Sequence, residues 1–205
     1  MDTLLALREL LKAGGLAMLP LLLCSVAAGA ATLHLLIRHA LARVGHTRLL
    51  EEDVRPETLE VLESVCLADR SALGEVMATT IQAARARPGA APEVSRRAID
   101  QALDSLESGL VVLAFIAQAA PLFGLLGTVL GMVDLFASME SAGDKVGAST
   151  LASGIWKALI TTATGLGIAI PALGLHALFS RRLDRLALRM EEGAGRVLDL
   201  VRARP

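Results

Sequence analysis

The sequence predicts an all-α membrane protein with three transmembrane helices and long helical extensions outside the membrane. Of its 205 residues, 54% are hydrophobic and only 2% are aromatic. This balance, with Leu, Ala, Val, Ile and Gly supplying the apolar content, is typical of a membrane core more than of a soluble one. Three apolar stretches reach the roughly 20 residues that a helix needs to cross a bilayer. Because backbone groups in lipid must be satisfied within their own segment, all three are predicted to be helices.

The spans divide the chain into seven segments. In order, these are an amphipathic N-terminal segment (1–15), the first span (16–37), a helical loop (38–108), the second span (109–137), a short loop (138–153), the third span (154–179) and a helical tail (180–205). Asp134 is the one formal charge of the second span, and the uncharged part of the third begins at Ala158.

The first apolar stretch could also be a signal peptide. Arg8 and Lys12 precede the apolar run, and small residues follow at 27–31, as a cleavage site requires. However, the run resumes at 33–37 and then stops at Arg38, which is the pattern of a span with a stop-transfer flank. We therefore expect a retained span.

Basic residues near the ends of the spans predict the orientation of the chain in the membrane. They accumulate after the first span, before the second and after the third, at Arg38, Arg43, Arg48, Arg96, Arg97, Arg181, Arg182, Arg185 and Arg189. The short loop has only Lys145. By the positive-inside rule, the N-terminus and the short loop lie outside, and the long loop and the tail are cytoplasmic.

The cytoplasmic segments are predicted to be helical. Apolar residues recur at helical spacing among acidic ones at Leu59, Leu62 and Val65. A Pro- and Gly-containing break at 88–92 interrupts the loop, after which a helix can run from Glu93 into the second span. The tail from Ser180 alternates apolar and charged residues and should continue the third helix as an amphipathic rod.

Several classes of function are excluded by composition. A net charge of -1 and the lack of a basic stretch with interleaved aromatics argue against nucleic-acid binding. Cys24 and Cys66 form no metal-ligand spacing, and the four histidines form no convincing ligand set. No phosphate loop, nucleophile elbow or catalytic carboxylate pair is present, so we expect no metal, no cofactor and no enzymatic activity.

Small residues form a stripe on each of the last two spans. These are Ala120, Gly124, Gly127 and Gly131 in the second span and Ala158, Thr162, Gly165, Ala169 and Ala172 in the third. Stripes of this kind let two helices approach closely in a membrane. Pro121 and Pro171 are expected to kink or pack the spans.

The same spans carry polar residues at membrane depth. They are Gln118, Thr128, Asp134, Thr161, Thr162 and Thr164. Such residues usually face a bundle interior or a water-filled path, although a threonine also commonly bonds to a carbonyl of its own helix. In an antiparallel pair, Thr128 lies about 9 Å inward of Asp134 and Thr162 about 7.5 Å inward of Lys157, at about 1.5 Å per residue. The two threonines are therefore predicted to share one depth.

Two stretches of sequence resemble a known family. The run Ala-Pro-Leu-Phe-Gly-Leu-Leu-Gly-Thr-Val-Leu-Gly-Met at 120–132 resembles the second-span signature of the ExbB and TolQ proteins, within the MotA/TolQ/ExbB proton channel family. The run Gly-Ile-Trp-Lys-Ala-Leu-Ile-Thr-Thr-Ala-Thr-Gly-Leu at 154–166, with Ala-Ile-Pro-Ala at 169–172, resembles the third-span signature. Both occur in the order and at the separation that the family has.

The resemblance implies a proton-driven motor subunit. It implies a homopentamer around a central pore that encloses two copies of a single-span partner similar to ExbD or TolR. An aspartate of the partner would take up and release protons, and Thr128 and Thr162 match the threonines that face it. We place Thr161, Asp134 and Lys157 in the same pathway. A TonB- or TolA-like protein, or a gliding effector, would receive the work indirectly.

Lys157 departs from the family, in which many members have a glutamate at this point. Either Lys157 pairs with Asp134, in the same or an adjacent subunit, or with an acid of the partner, or the glutamate has no essential role in proton transfer. Asp134 itself could collect cations at the outer pore mouth or could simply end the helix in solvent. An alternative for the whole chain is a non-conducting scaffold that assembles and stabilises the single-span partner.

Overall fold

The computed structural model describes residues 15–42, 59–69, 71–142 and 147–202, and over these residues the chain is helical without strands. A short 3-10 turn is followed by five α-helices: α1 (Met18–Ala42), α2 (Leu59–Ala68), α3 (Ala72–Ala86), α4 (Ala91–Ala142) and α5 (Ala148–Arg202). The all-α prediction is thus confirmed for the described part of the chain. The expectations for segments 1–14 and 43–58 and for Lys145 lie outside it.

Three of these helices are long and apolar enough to cross a membrane, as predicted. They are Met18–Arg38 in α1, Ala91–Ser141 in α4 and Ser149–Arg202 in α5. With 52 residues in α4 and 55 in α5, both exceed the roughly 20 residues that a crossing requires. Both helices are therefore longer than one crossing requires. That their remaining residues extend outside the bilayer, on the cytoplasmic side, stays a prediction.

The long helices contribute to two compact units. We call Met1–Thr32 with Val111–Ala177 the membrane unit, and Leu33–Leu110 with Leu178–Pro205 the extension unit. The membrane unit carries both sequence signatures. The extension unit carries α2, α3 and the amphipathic tail.

The extension unit has its own hydrophobic core, to which four helices contribute. Cys66 of α2, Ile81 of α3, Ile99 of α4 and Met190 of α5 pack in a single buried cluster. Ile81 and Met190 are fully buried, and complete burial of side chains of this size stabilises a fold by about 1.5–3 kcal/mol each. The apolar residues that recur at helical spacing in the loop and the tail thus form the core of a packed helical unit.

Local sequence signals set the ends of the helices in this unit. Ser71 caps α3, because its hydroxyl accepts a hydrogen bond from the backbone N–H of Gly74 at 3.0 Å. The break predicted at 88–92 is present, since α3 ends at Ala86 and α4 begins at Ala91 after a turn. The buried hydroxyls of Thr80 and Ser95 then join α3 to α4 by a hydrogen bond of 2.9 Å.

The buried thiol of Cys66 provides a test of this core. Burial raises the pKa of Cys66 to about 11, and the negative charges of Asp69 and Glu63 add to the effect. Because only the thiolate is alkylated, a raised pKa slows the reaction at pH 8 about a hundredfold relative to a thiol with a pKa near 9. In a Cys24→Ser background, we expect iodoacetamide to modify Cys66 slowly at pH 8 and faster as the pH rises toward 11.

The same variant unfolded in denaturant is the control, and its thiol should react readily at pH 8. Equal rates for the folded and unfolded protein at that pH would show that Cys66 is not buried in a helical core.

Candidate functional site

The membrane unit brings the two predicted stripes of small residues together. A methyl group on Gly124 of α4 would lie 2.9 Å from the carbonyl oxygen of Thr161 and 3.0 Å from the Cα of Thr162 in α5. One on Gly131 would lie 3.3 Å from the Cβ of Ala158. Because residues later in α4 meet residues earlier in α5, the two helices are antiparallel neighbours. Their contact is here called the seam.

At the seam the two backbones touch almost directly. A methyl group on Gly165 would lie 2.5 Å from the carbonyl oxygen of Ala120 and 3.2 Å from the Cα of Gly124. Ala120, Ala158 and Ala169 are all buried. Even a single methyl group would clash at this separation, so the close approach requires glycine at positions 124 and 165.

Two hydroxyls of α5 share one carbonyl of α4. Thr162 Oγ1 donates to the carbonyl oxygen of Gly124 at 3.0 Å. Thr161 Oγ1 lies 3.2 Å from the same oxygen and 2.7 Å from the carbonyl oxygen of Ala158 in its own helix. Thr161 is buried, at 1% exposure, whereas Thr162 is half-buried. The seam is therefore held by hydrogen bonds as well as by packing.

The other intramembrane threonines bond within their own helices. Thr128 Oγ1 donates to the carbonyl oxygen of Leu125, and Thr164 Oγ1 to that of Ile160, both at 2.7 Å. Such bonds satisfy the hydroxyl donor locally. Each oxygen nevertheless keeps lone pairs with which it can accept a further hydrogen bond.

Helical geometry places Thr128 and Thr162 on the same edge of the seam. Thr128 directly follows the seam residue Gly127, and Thr162 directly follows the seam residue Thr161. Each threonine is therefore rotated by about 100° around its helix from the seam. Because α4 and α5 are antiparallel, equal turns in the two helices lead to the same side of the pair. We call this side the hydroxyl edge. Apolar residues on it are exposed: Leu125 at 56%, Leu159 at 59% and Leu166 at 44%.

The opposite edge is covered by the 3-10 turn Gly15–Ala17, which directly precedes α1. A methyl group on Gly127 would lie 3.0 Å from the Cβ of Ala17, and Ala17 itself is buried. Gly15, with a φ of 63°, forms the turn that leads into this contact. The α4–α5 pair thus has one edge covered within the chain and one edge that is available to another molecule.

Asp134 and Lys157 lie on the side of the pair that the 3-10 turn covers. Both line an open cleft of about 740 Å³, together with Gly15 and Ala17. Asp134 lies about 120° around α4 from Thr128, and Lys157 about 140° around α5 from Thr162, at about 100° per residue. The structure thus brings the two charges together and separates them from the hydroxyl edge. Within the described chain, no ion pair within 4.0 Å joins them.

The prolines and Gln118 are peripheral to this arrangement. Both α4 and α5 continue through their prolines, with Pro121 half-buried and Pro171 exposed. Gln118 is exposed.

Sequence reasoning missed the role of the Gly124 carbonyl, which accepts two hydroxyls across the seam. Only the adjacency of Thr161 and Thr162 hints at it, since neighbouring residues can both reach one point on a helix packed this closely.

Comparison with known proteins agrees with this architecture. The sequence profile of the MotA/TolQ/ExbB proton channel family matches residues 68–192, which is more than half of the chain. The biopolymer transport protein exbB1 of Vibrio cholerae is 40% identical over 84 residues, or 41% of this chain and 37% of that protein.

Two further relatives come from other species, and one of them is a TolQ protein. The biopolymer transport protein ExbB of Pseudomonas putida is 35% identical over 97 residues, or 47% of this chain and 29% of that protein. The Tol-Pal system protein TolQ of Pseudomonas aeruginosa is 36% identical over 110 residues, or 50% of this chain and 47% of that protein. The matched stretch therefore covers less than half the length of each of these relatives.

Three apolar helices indicate an integral membrane protein, and these relatives point to the bacterial inner membrane. The chain belongs to the MotA/TolQ/ExbB proton channel family. Members of that family are channel or motor subunits and not enzymes.

The tight seam predicts a sharp difference between two glycines of α5. Gly165→Ala should destabilise the protein by about 1–3 kcal/mol, because the added methyl meets backbone atoms that cannot move aside. Gly167→Ala is the matched control, since a methyl there has nothing within 4 Å. Loss of helicity on heating the detergent-solubilised protein measures both. Equal midpoints for the two variants would contradict the observed packing.

Proposed function

We propose that this chain is a proton-channel or stator subunit that couples the proton motive force to mechanical work through an ExbD- or TolR-like partner. The observation that carries the proposal is the hydroxyl edge. It places Thr128 and Thr162 on the side of the α4–α5 pair opposite to the contact with Ala17. A transmembrane helix of the partner can lie against this edge within the membrane.

The hydroxyls suit a carboxyl group that gains and loses a proton. Thr128 and Thr162 already donate their hydroxyl protons to backbone carbonyls, so each hydroxyl oxygen can only accept a hydrogen bond from another group. In this arrangement they favour a protonated, neutral carboxyl group, which can donate to them. A carboxylate would require a hydroxyl to turn away from its carbonyl. The neutral form also avoids the cost of moving a charge through the membrane interior.

Thr161 has a different part in the proposal. Its hydroxyl is buried and holds Ala158 and Gly124 together across the seam. When the Thr162 hydroxyl turns toward the partner, Thr161 still contacts the Gly124 carbonyl. The seam can therefore stay closed while a proton passes along its edge.

The proposed assembly is a homopentamer whose α4 and α5 helices line a central pore around two copies of the partner. Large apolar residues exposed on these helices support contacts with other chains or with lipid, among them Leu122, Val129, Val133, Phe136, Leu159, Ile170 and Leu173. By the positive-inside rule, the distribution of arginine supports an orientation with the N-terminus outside and the tail in the cytoplasm. Each proton that crosses 100 mV would then release about 2.3 kcal/mol.

The process that this motor serves is energised outer-membrane transport, envelope maintenance or gliding. The relatives' names, biopolymer transport and Tol-Pal system, belong to the first two. The three candidate spans among the described residues fit the three-span ExbB and TolQ layout better than the four-span flagellar one. A TonB- or TolA-like protein or a gliding effector would receive the work indirectly.

The proposal predicts that the Thr162 hydroxyl is needed for proton flux. In liposomes that contain the chain and its single-span partner, Thr162→Ala should reduce proton flux at least tenfold, or by about 1.4 kcal/mol in barrier height. Thr162→Ser keeps the hydroxyl and should retain most of the flux. A pH-sensitive dye inside the liposomes measures the rate.

Thr164→Val is the matched control, because the Thr164 hydroxyl bonds only within its own helix. Its flux should resemble that of the wild type. Absence of flux from the wild-type complex, or flux that Thr162→Ala leaves unaltered, would contradict the proposal and favour the non-conducting scaffold.

A further inference from the structure

A polar cleft in the membrane unit lies apart from the hydroxyl edge. It lies where α4 ends and α5 begins and has a volume of about 740 Å³, within the range of about 300–1,000 Å³ that small-molecule sites occupy. Its lining combines one carboxylate, one ammonium group and several hydroxyls, from Asp134, Lys157, Ser138, Ser149, Thr150 and Ser153. Leu130 and Leu135 add apolar surface.

The two charged groups of the cleft are both available to a ligand. Asp134 and Lys157 are exposed, and no ion pair within 4.0 Å engages either one within the described part of the chain. A ligand that carries one negative and one positive charge would satisfy both. A simple anion that binds Lys157 would be repelled by the carboxylate of Asp134. A simple cation that binds Asp134 would be repelled by the ammonium group of Lys157.

The sequence around the cleft is typical of a boundary between lipid and water. The apolar run of α4 ends close to Asp134, and Trp156, which is 64% exposed, precedes Lys157 in α5. Tryptophan is enriched at the interface between lipid and water, where lysine can extend its ammonium group to the headgroups. Leu130, which is 45% exposed, extends the lining of the cleft toward the apolar part of α4.

We propose that this cleft binds a phosphodiester that bears a primary amine, supplied by the phosphoethanolamine headgroup of a membrane phospholipid. Lys157 and the hydroxyls of Thr150 and Ser153 bind the phosphate. Asp134 accepts hydrogen bonds from the ammonium group. The acyl chains leave the cleft along the apolar surface at Leu130. This site is separate from the hydroxyl edge and does not depend on proton conduction.

Lipid selectivity tests the proposal. The purified full-length chain, in complex with its partner, is titrated in detergent with phosphatidylethanolamine, phosphatidylcholine or phosphatidylglycerol, and bound lipid is counted by native mass spectrometry. We expect phosphatidylethanolamine to bind about fivefold more tightly than the other two, because phosphatidylcholine lacks ammonium N–H donors and phosphatidylglycerol lacks the cation.

Two variants test the contacts to the amine and to the phosphate of the headgroup separately. Asp134→Asn should weaken phosphatidylethanolamine about fivefold and leave phosphatidylglycerol unchanged. Lys157→Gln should weaken all three lipids, since each has a phosphate. Asp104→Asn and Arg96→Gln remove matched charges from exposed positions in the extension unit and serve as controls.

Three results would overturn the proposal. One is equal binding of the three lipids by the wild type. Another is lipid binding that neither Asp134→Asn nor Lys157→Gln changes. If both variants then dissociate the oligomer, the two charges form a clamp between chains instead. The third is soluble glycerophosphoethanolamine binding as tightly as the lipid, which would assign the cleft to a free phosphodiester.

Discussion

The close contact between α4 and α5 at Gly124 is the feature on which the rest of the membrane unit depends. At this point the two backbones approach within contact distance, and one carbonyl accepts hydroxyls from Thr161 and Thr162. Glycine makes the approach possible, and the hydroxyls make it specific in register. A shift by one residue would remove both hydrogen bonds and bring a side chain into the seam.

Once the seam is fixed, the position of every other polar group on these helices follows from helical geometry. Residues that follow a seam position face one edge, where Thr128 and Thr162 lie. Asp134 and Lys157 face the other side, near the beginning of α1. The hydroxyl edge and the cleft that contains Asp134 and Lys157 therefore lie on different sides of the α4–α5 pair. We propose a role in proton transfer for the hydroxyl edge and a role in binding a lipid headgroup for the cleft.

Much of this arrangement could be predicted from the sequence. Apolar runs predicted the three spans, and stripes such as Gly124–Gly127–Gly131 indicated a close pair of helices. Depth along a helix can also be predicted, because each residue adds a fixed rise. Depth alone groups Asp134 and Lys157 with the threonines in one pathway. That pathway stays a prediction, but in the structure the two charges lie away from the hydroxyl edge. The side on which a residue lies depends on which face of its helix packs against the neighbouring helix, and depth along the helix does not reveal that face.

The central claim is that the hydroxyl edge faces a helix of another protein, and disulfide cross-linking in native membranes tests it most directly. In a Cys24→Ser, Cys66→Ser background, Thr128→Cys is combined with single cysteines along the span of the partner. The account predicts cross-links from Thr128→Cys at a defined depth and none from Gly29→Cys, which is exposed on α1. Cross-links from Gly29→Cys but none from Thr128→Cys would contradict it.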